Sequence, residues 1–333
     1  MSAPDQEWDA ERLLELGRSY QAAAVLAAAA ELEIFAALRA AAKTAADLAE
    51  SLQCDARGLT ILLDALAALG LITKSGDRYS APPDIARLLS PDDPQSVLAM
   101  AQHQANCLRN WAQAATAVKT GRPPARIPSV RGSQNDLESF IGAMHNVSAP
   151  CADSVIRSIQ RLQFRCLLDV GAGPGTWSLA FLRACPEGRA VLFDLPEVIP
   201  LARRRFAAEG LSGRAEFVAG DYNRDAMPPG ADLAWVSAIV HQNSREQNRA
   251  LFKRIYNALQ PGGRIAIRDI VMEPDRTQPV AGALFAVNML VGTELGGTFT
   301  YAELCEDLAS AGFVQPAIDR REPAMNTVIV ASR

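Results

Sequence analysis

Gly171, Gly173 and Gly175 alternate in the run Leu167-Leu-Asp-Val-Gly-Ala-Gly-Pro-Gly175, between an apolar pentad and a helical segment opening at Thr176. Glycine is needed where backbone comes close to a ligand or turns through positive φ. The helix N-terminus beyond favours a negative group such as a carboxylate. A dinucleotide site would want G-x-G-x-x-G, but residue 176 is Thr, so the third glycine comes one place early. Two carboxylates follow. Asp194, in Phe193-Asp-Leu195, lies 23 positions after Gly171, where it can accept hydrogen bonds from both ribose hydroxyls of an adenosine. Asp221, in Gly220-Asp-Tyr222, offers an acceptor for an exocyclic amine beside a ring that can stack on adenine. Asp169, ahead of the glycines, and Leu195 and Gly220, beside the carboxylates, belong to the same constellation. Together these features predict a site for S-adenosyl-L-methionine, with S-adenosyl-L-homocysteine as product, rather than for NAD.

His241 is the candidate reacting group. It follows the strand candidate Leu233 to Ser237, at the end where open α/β sheets place their chemistry. A neutral imidazole there can take the proton of a hydroxyl as its oxygen attacks a sulfonium methyl group. Such a base needs an acceptor for its second nitrogen. Asp269, Glu246 and Glu294 all qualify, and Asp269, at the end of the next strand, is preferred. His103 and His145 lie in helical segments and read as structural or pocket-lining.

The elements that must position these groups change character near residue 160. The second half alternates apolar strand candidates (Cys166 to Val170, Ala190 to Phe193, Ala215 to Ala219, Leu233 to Ser237, Arg264 to Ile270, Ala317 to Arg321, Asn326 to Ala331) with helices (Thr176 to Ala184, Glu197 to Glu209, Ser244 to Leu259, Thr300 to Ala311). This predicts an α/β, Rossmann-like, mostly parallel sheet. Its last two strands are so close in sequence that they must form an antiparallel hairpin.

The first half is Ala/Leu-rich and helical. It reads as a helix from Glu11 to Ala30, short helices at Ile34 to Leu38 and from Thr44, with Thr44 and Asp47 as capping box, and a helix from Arg57 to Leu69 closed by Gly70. A hairpin over Leu71 to Ser80 completes an otherwise all-helical winged helix. Further helices are expected from Ser96 to Lys119 and Leu137 to Arg161, around the loop Gly121 to Pro128.

Between Glu31 and Ser90 there are six Lys/Arg against eight Asp/Glu, and the would-be reading helix offers Leu, Ile and Ala. That chemistry suits a protein–protein, dimerising surface rather than DNA, and it disfavours the alternative of a ligand-sensing regulator. The net charge of −4 argues against a chain built to coat nucleic acid or anionic lipid. Six scattered cysteines without a C-x-x-C pair, and three histidines, assemble no metal spacing. They read as reduced thiols of a cytoplasmic protein. Met1 to Asp9 is acidic, unlike a signal peptide, and the apolar stretch Ala22 to Leu38 is broken by Glu31 and Glu33, unlike a membrane span.

A winged helix followed in order by Asp169-Val-Gly-Ala-Gly-Pro-Gly175, Phe193-Asp-Leu-Pro196, Gly220-Asp-Tyr222 and Val240-His241 resembles the caffeate/acetylserotonin-type O-methyltransferase family, plant-like and bacterial, over nearly the whole chain. The resemblance implies three parts: a winged-helix dimerisation domain over 1–100 that makes a homodimer, a helical linker and substrate cap over 101–160, and a cofactor-binding class I methyltransferase domain over 161–333. It implies cofactor contacts from Gly171, Asp194, Leu195, Asp221 and Tyr222, with Asp169, Gly173, Gly220 and Ser237 in the same site, and His241 as base toward a hydroxyl of an aromatic or polyketide-like small molecule. The acceptor pocket it implies draws on Trp111, Phe140, Met144, His145, Asn288 and Met289. The chain departs from the pattern in three places. His241-Gln-Asn243 stands for the usual His-Asp, Ser237 stands for a strand lysine, and one of two acids that flank the histidine falls in Gly296-Gly-Thr-Phe-Thr300. These departures leave C- or N-methylation of a related small molecule as the alternative.

Overall fold

A computed structural model describes residues 7–91, 93–159 and 162–333. The first helix expected from the sequence is two, α1 (Ala10–Arg18) and α2 (Tyr20–Glu31). Ser19 between them keeps helical angles, but its N–H and hydroxyl both turn back to the Leu16 carbonyl, a tighter turn that interrupts the α pattern. There follow α3 (Ile34–Ala37), β1 (Lys43–Thr44), α4 (Ala45–Leu52), α5 (Ala56–Ala68), β2 (Thr73–Ser75) and β3 (Arg78–Ser80). The Thr44/Asp47 capping box closes in both directions, and Gly70 takes a φ of +73° after α5. β1 joins the hairpin, so the wing is a three-stranded antiparallel sheet in the order β1-β3-β2.

Next come α6 (Pro83–Leu88), α7 (Leu98–Trp111), α8 (Ala114–Thr120) and α9 (Ser133–Ser158). α7 and α8 replace the one helix expected over this stretch, because Gln113 donates its N–H back to Asn110 rather than Arg109. The end expected for α9 at Arg161 lies outside the described residues.

The chain divides into two compact units: the part up to Leu108 with Ile127–Ala143, and Arg109–Arg126 with Met144–Arg333. In the first, Ile34, Phe35, Leu48, Leu63, Leu66 and Tyr79 form the core. Leu59, Leu63 and Leu66 turn the apolar stripe of α5 into that core. α1 buries none of its residues, leaving Leu13, Leu14 and Leu16 exposed.

The second unit is built on β4 (Cys166–Val170), α10 (Thr176–Ala184), β5 (Arg189–Asp194), α11 (Ile199–Ala208), β6 (Ala215–Ala219), β7 (Ala231–Ser237), α12 (Arg245–Ala258), β8 (Leu259–Asp269), β9 (Val271–Met272), α13 (Val280–Gly292), β10 (Phe299–Thr300), α14 (Tyr301–Ala311), β11 (Val314–Arg320) and β12 (Thr327–Ser332). Seven strands order as β11-β12-β8-β7-β4-β5-β6. β4 to β8 run parallel, and β12 and β11 close the sheet antiparallel, as expected. One apolar core packs α12 and α14 on one face, and the other packs the end of α9 with α10 and α11 on the opposite face. The strand order reverses between β4 and β7, which opens a crevice at their C-terminal ends. Among the described residues no helix is long and apolar enough to cross a membrane.

Candidate active site

The glycine loop leaves β4 on one side of this crevice. Gly171, Gly173 and Gly175 have φ of +67°, +55° and +75°, angles that cost an L-residue roughly 1–2 kcal/mol each. Their surroundings differ. A Cβ on Gly171 would stand 2.5 Å from Ile239 Cδ1, and one on Gly175 2.6 Å from the Phe206 ring, whereas a Cβ on Gly173 would meet no atom within 4 Å. Both outer positions are crowded by neighbouring side chains. The middle one faces open space.

Asp194 ends β5 beside that space. Its Oδ2 accepts the Gly173 N–H at 2.6 Å and its Oδ1 accepts the Leu195 N–H at 2.7 Å. Burial raises its carboxyl pKa, and the two backbone donors work against that. Leu195 leaves its own side chain 39% exposed. The Tyr222 ring lies 3.6 Å from where a Gly171 side chain would begin. Burial pushes its phenol up to about 12, with the Asp194 and Asp221 charges adding to the effect. Asp221 accepts the Asn223 N–H, and Gly220 leaves room for the Phe193 ring, which a Cβ there would strike at 2.5 Å. Asp169 is turned away: Ser178 on α10 donates to it at 2.6 Å, and burial pushes its carboxyl up to about 7. It braces the helix behind the loop. Ser237 accepts a hydrogen bond from Arg268, whose guanidinium carbon lies 4.3 Å from the Trp177 ring centre. A cation from β8 thus reaches the position where the expected lysine is absent.

Across the crevice, β7 ends at Ser237 and the chain turns sharply through Ala238, a non-glycine residue at φ +58°, strain of a kind that persists where the surroundings over-determine it. A 3₁₀ turn over Val240–Gln242 then carries His241. Asn248, fully buried on α12, donates to the Val240 carbonyl at 2.9 Å and holds the turn. His241 Nδ1 lies 2.9 Å from each Asp269 oxygen. Of the three acids the sequence left open, the structure brings Asp269 to the imidazole.

The family model described as an O-methyltransferase domain matches residues 125–314, and that described as an O-methyltransferase dimerisation domain matches residues 14–90. The chain belongs to the O-methyltransferase family. It is an S-adenosylmethionine-dependent methyltransferase. A 3-hydroxy-5-methyl-1-naphthoate 3-O-methyltransferase of Streptomyces sahachiroi is 33% identical over 86% of this chain and 84% of its own length. The tetracenomycin polyketide synthesis 8-O-methyl transferase TcmO of Streptomyces glaucescens is 30% identical, covering 90% of each chain. The crystal structure of human N-acetylserotonin methyltransferase in complex with SAM superposes with a TM-score of 0.80 at 27% identity, covering 99% of each chain.

In this O-methyltransferase the expected acceptor residues are placed unevenly. Trp111 Nε1 donates to Asn288 Oδ1 at 2.8 Å, joining the end of α7 to α13, and Met289 beside it is buried. Met144 is half-buried on α9. Phe140 belongs to the first compact unit, where its ring meets His103 edge-on at 5.2 Å. His145 has both nitrogens engaged. Nε2 lies 2.8 Å from an Arg205 nitrogen and Nδ1 3.0 Å from the Thr176 hydroxyl. Because guanidinium can only donate, Nδ1 carries the hydrogen and donates to Thr176. Burial, then the Arg205 charge, lowers the imidazole pKa to about 4. The ring ties α9 to the first residue of α10.

Sequence reasoning missed Phe285, whose ring stands edge-on to the His241 imidazole at 4.8 Å. The signal was present. Val280 to Gly292 is a run of 13 residues without a charge, long enough for an apolar helix beside the site.

Proposed function

We propose that this enzyme works as a cytoplasmic homodimer that methylates a phenolic hydroxyl on a fused aromatic, polyketide-like small molecule. The observation that carries the reading is the buried His241–Asp269 pair, set across the strand-order reversal from the glycine loop. Residues 1–100 make the dimer, 101–160 cover the acceptor and 161–333 bind the cofactor. Exposed Leu13, Leu14 and Leu16 on α1 supply an apolar dimer face. Six free cysteines suit a reducing compartment.

S-adenosylmethionine, bound at the glycine loop, supplies an electrophilic sulfonium methyl group. Gly173 gives it room, Asp194 with Gly171 and Leu195 holds the ribose side, and Asp221 with Tyr222 holds the adenine side. Gly220 and Ser237 shape the walls, and Asp169 braces the loop from behind. A carboxylate can only accept, so Asp269 fixes the hydrogen of His241 on Nδ1 and leaves the Nε2 lone pair for the acceptor. His241 would take the phenolic proton as the oxygen bonds to the methyl carbon and the carbon–sulfur bond breaks to leave S-adenosylhomocysteine, and Asp269 would stabilise the imidazolium that forms. Trp111, Met144, Asn288 and Met289 line the acceptor side, with His145 shaping the wall behind.

The two Streptomyces relatives, named for a hydroxynaphthoate and for tetracenomycin polyketide synthesis, support the acceptor class. The test is incubation with S-adenosylmethionine and a panel of hydroxynaphthoates and polycyclic phenols, read by mass spectrometry and NMR of the product. A new methyl ether is expected. Methylation on carbon or nitrogen, or none across the panel, would overturn the reading.

A further inference from the structure

His241 is held at a second point, through its backbone. Gly297 donates its N–H to the His241 carbonyl at 2.9 Å. Just before it, Gly296 approaches so closely that a Cβ would stand 2.5 Å from the His241 carbonyl oxygen, 3.1 Å from that of Gln242, and against the Thr293 hydroxyl. Thr293 Oγ1 in turn accepts the Gly296 N–H at 2.9 Å and donates to the Met289 carbonyl at 2.7 Å. The turn is thus pinned to the end of α13 and wrapped round the histidine's peptide. Its far side is fixed by Arg276, which donates to the Thr298 carbonyl.

The two-stranded parallel sheet explains why this turn and Asp269 act on one residue. β9 and β10 pair with Val271 opposite Phe299 and Met272 opposite Thr300. Two residues upstream of each strand, that register brings Asp269 level with Gly297. The segment leading into β9 carries the carboxylate that meets the imidazole, and the segment leading into β10 carries the N–H that meets the same residue's carbonyl.

We propose that the Thr293-to-Gly297 turn is a backbone clasp that positions His241 against Asp269, with Gly296 glycine because any side chain there would force the clasp open. The clasp occupies the stretch where the expected second acid is missing. Gly297 serves through its N–H alone: a Cβ on it would meet no atom within 4 Å, so alanine there keeps the clasp. The proposal deepens the reading of His241 as base and rests on it for its functional meaning.

The experiment uses full-length protein labelled with ¹⁵N-histidine. It follows the His241 ring nitrogens and the Nδ1 proton by NMR, with cofactor affinity and thermal melting measured alongside. The wild type is expected to show His241 as the Nδ1–H tautomer with a downfield, slowly exchanging proton. Gly297→Ala and Thr293→Ser should keep that signature. Gly296→Ala and Thr293→Val should lose or broaden it, with S-adenosylmethionine affinity within about twofold of wild type, a change below ~0.5 kcal/mol. If Gly296→Ala fails to fold, the Thr293 pair decides. An unchanged signature in Thr293→Val, or its absence from the wild type, overturns the clasp. Ring spectra do not depend on methyl transfer, so full activity of His241→Ala would remove the base and leave the clasp standing.

Discussion

His241 Nδ1 lies within 2.9 Å of both oxygens of Asp269, with the two side chains only 7% and 1% exposed. The carboxylate also accepts the Ile270 N–H on the oxygen it shares with the ring, so it cannot turn away without losing a second bond. A buried acceptor fixed on both sides sets the imidazole tautomer, and that tautomer decides whether a lone pair or a hydrogen faces the acceptor. Asp269→Asn keeps the shape but offers an amide that can also donate. The expected result is a fall in kcat of about 10²-fold, within the range of positioned general bases, with cofactor affinity unchanged by calorimetry. A kcat within about twofold of wild type, worth only ~0.4 kcal/mol, would count against the pair.

Asp194 should act on the other substrate. Its oxygens already order the Gly173 and Leu195 N–H groups, so Asp194→Ala removes the proposed ribose acceptor and slackens the loop together. Loss of charged hydrogen bonds worth about 2 kcal/mol corresponds to a roughly 30-fold weaker Kd for S-adenosylmethionine. Calorimetric titration measures it, and an unchanged Kd would place the ribose elsewhere.

Two glycines of one loop should fail in different ways. Gly171→Ala adds a methyl that collides with Ile239 at 2.5 Å, while Gly173→Ala adds one into open space. Both pay the positive-φ penalty. Gly171→Ala is therefore expected to melt several degrees lower than Gly173→Ala, whereas Gly173→Ala should lose more cofactor affinity relative to its stability. Equal losses in both measurements would remove the distinction between packing and cradle.

The latch between His145, Thr176 and Arg205 predicts a pH effect of definite sign. The folded imidazole titrates at about 4 rather than 6.5, so below about pH 6.5 the unfolded chain binds a proton that the folded one does not. Its contribution to stability is complete above about 6.5 and declines as pH falls toward 4. His145→Gln keeps hydrogen bonding without that proton. The Tm advantage of wild type over His145→Gln should be larger near pH 7 than near pH 5, and an equal gap at both would contradict the latch.

What the sequence disclosed was local. Gly171, Gly173, Gly175, Asp194 and Asp221 were legible as a group because they lie in short loops at strand ends, where spacing in sequence translates directly into position. The strand–helix rhythm and the Thr44/Asp47 cap were readable for the same reason. Asp269 could be preferred over two rivals but not settled, because settling it needs the register of β7 against β8. Ser19 and Gln113 break helices through hydrogen bonds to the residue three back, which periodicity does not sense. β9 and β10, of two residues each, are too short to carry a pattern. Gly296 reads in the sequence as loop glycine; only the fold shows the His241 carbonyl it must approach. Arg268 at Ser237 is equally invisible, since the cation arrives from the neighbouring strand.

The most direct test of the account is single-turnover transfer from S-(trideuteromethyl)-adenosylmethionine to a hydroxynaphthoate that the wild type methylates, comparing wild type with His241→Ala at neutral pH. The account expects a trideuteromethyl ether from wild type and a rate about 10²-fold or more lower from the variant, with cofactor affinity retained. A variant that forms the ether at the wild-type rate would contradict it.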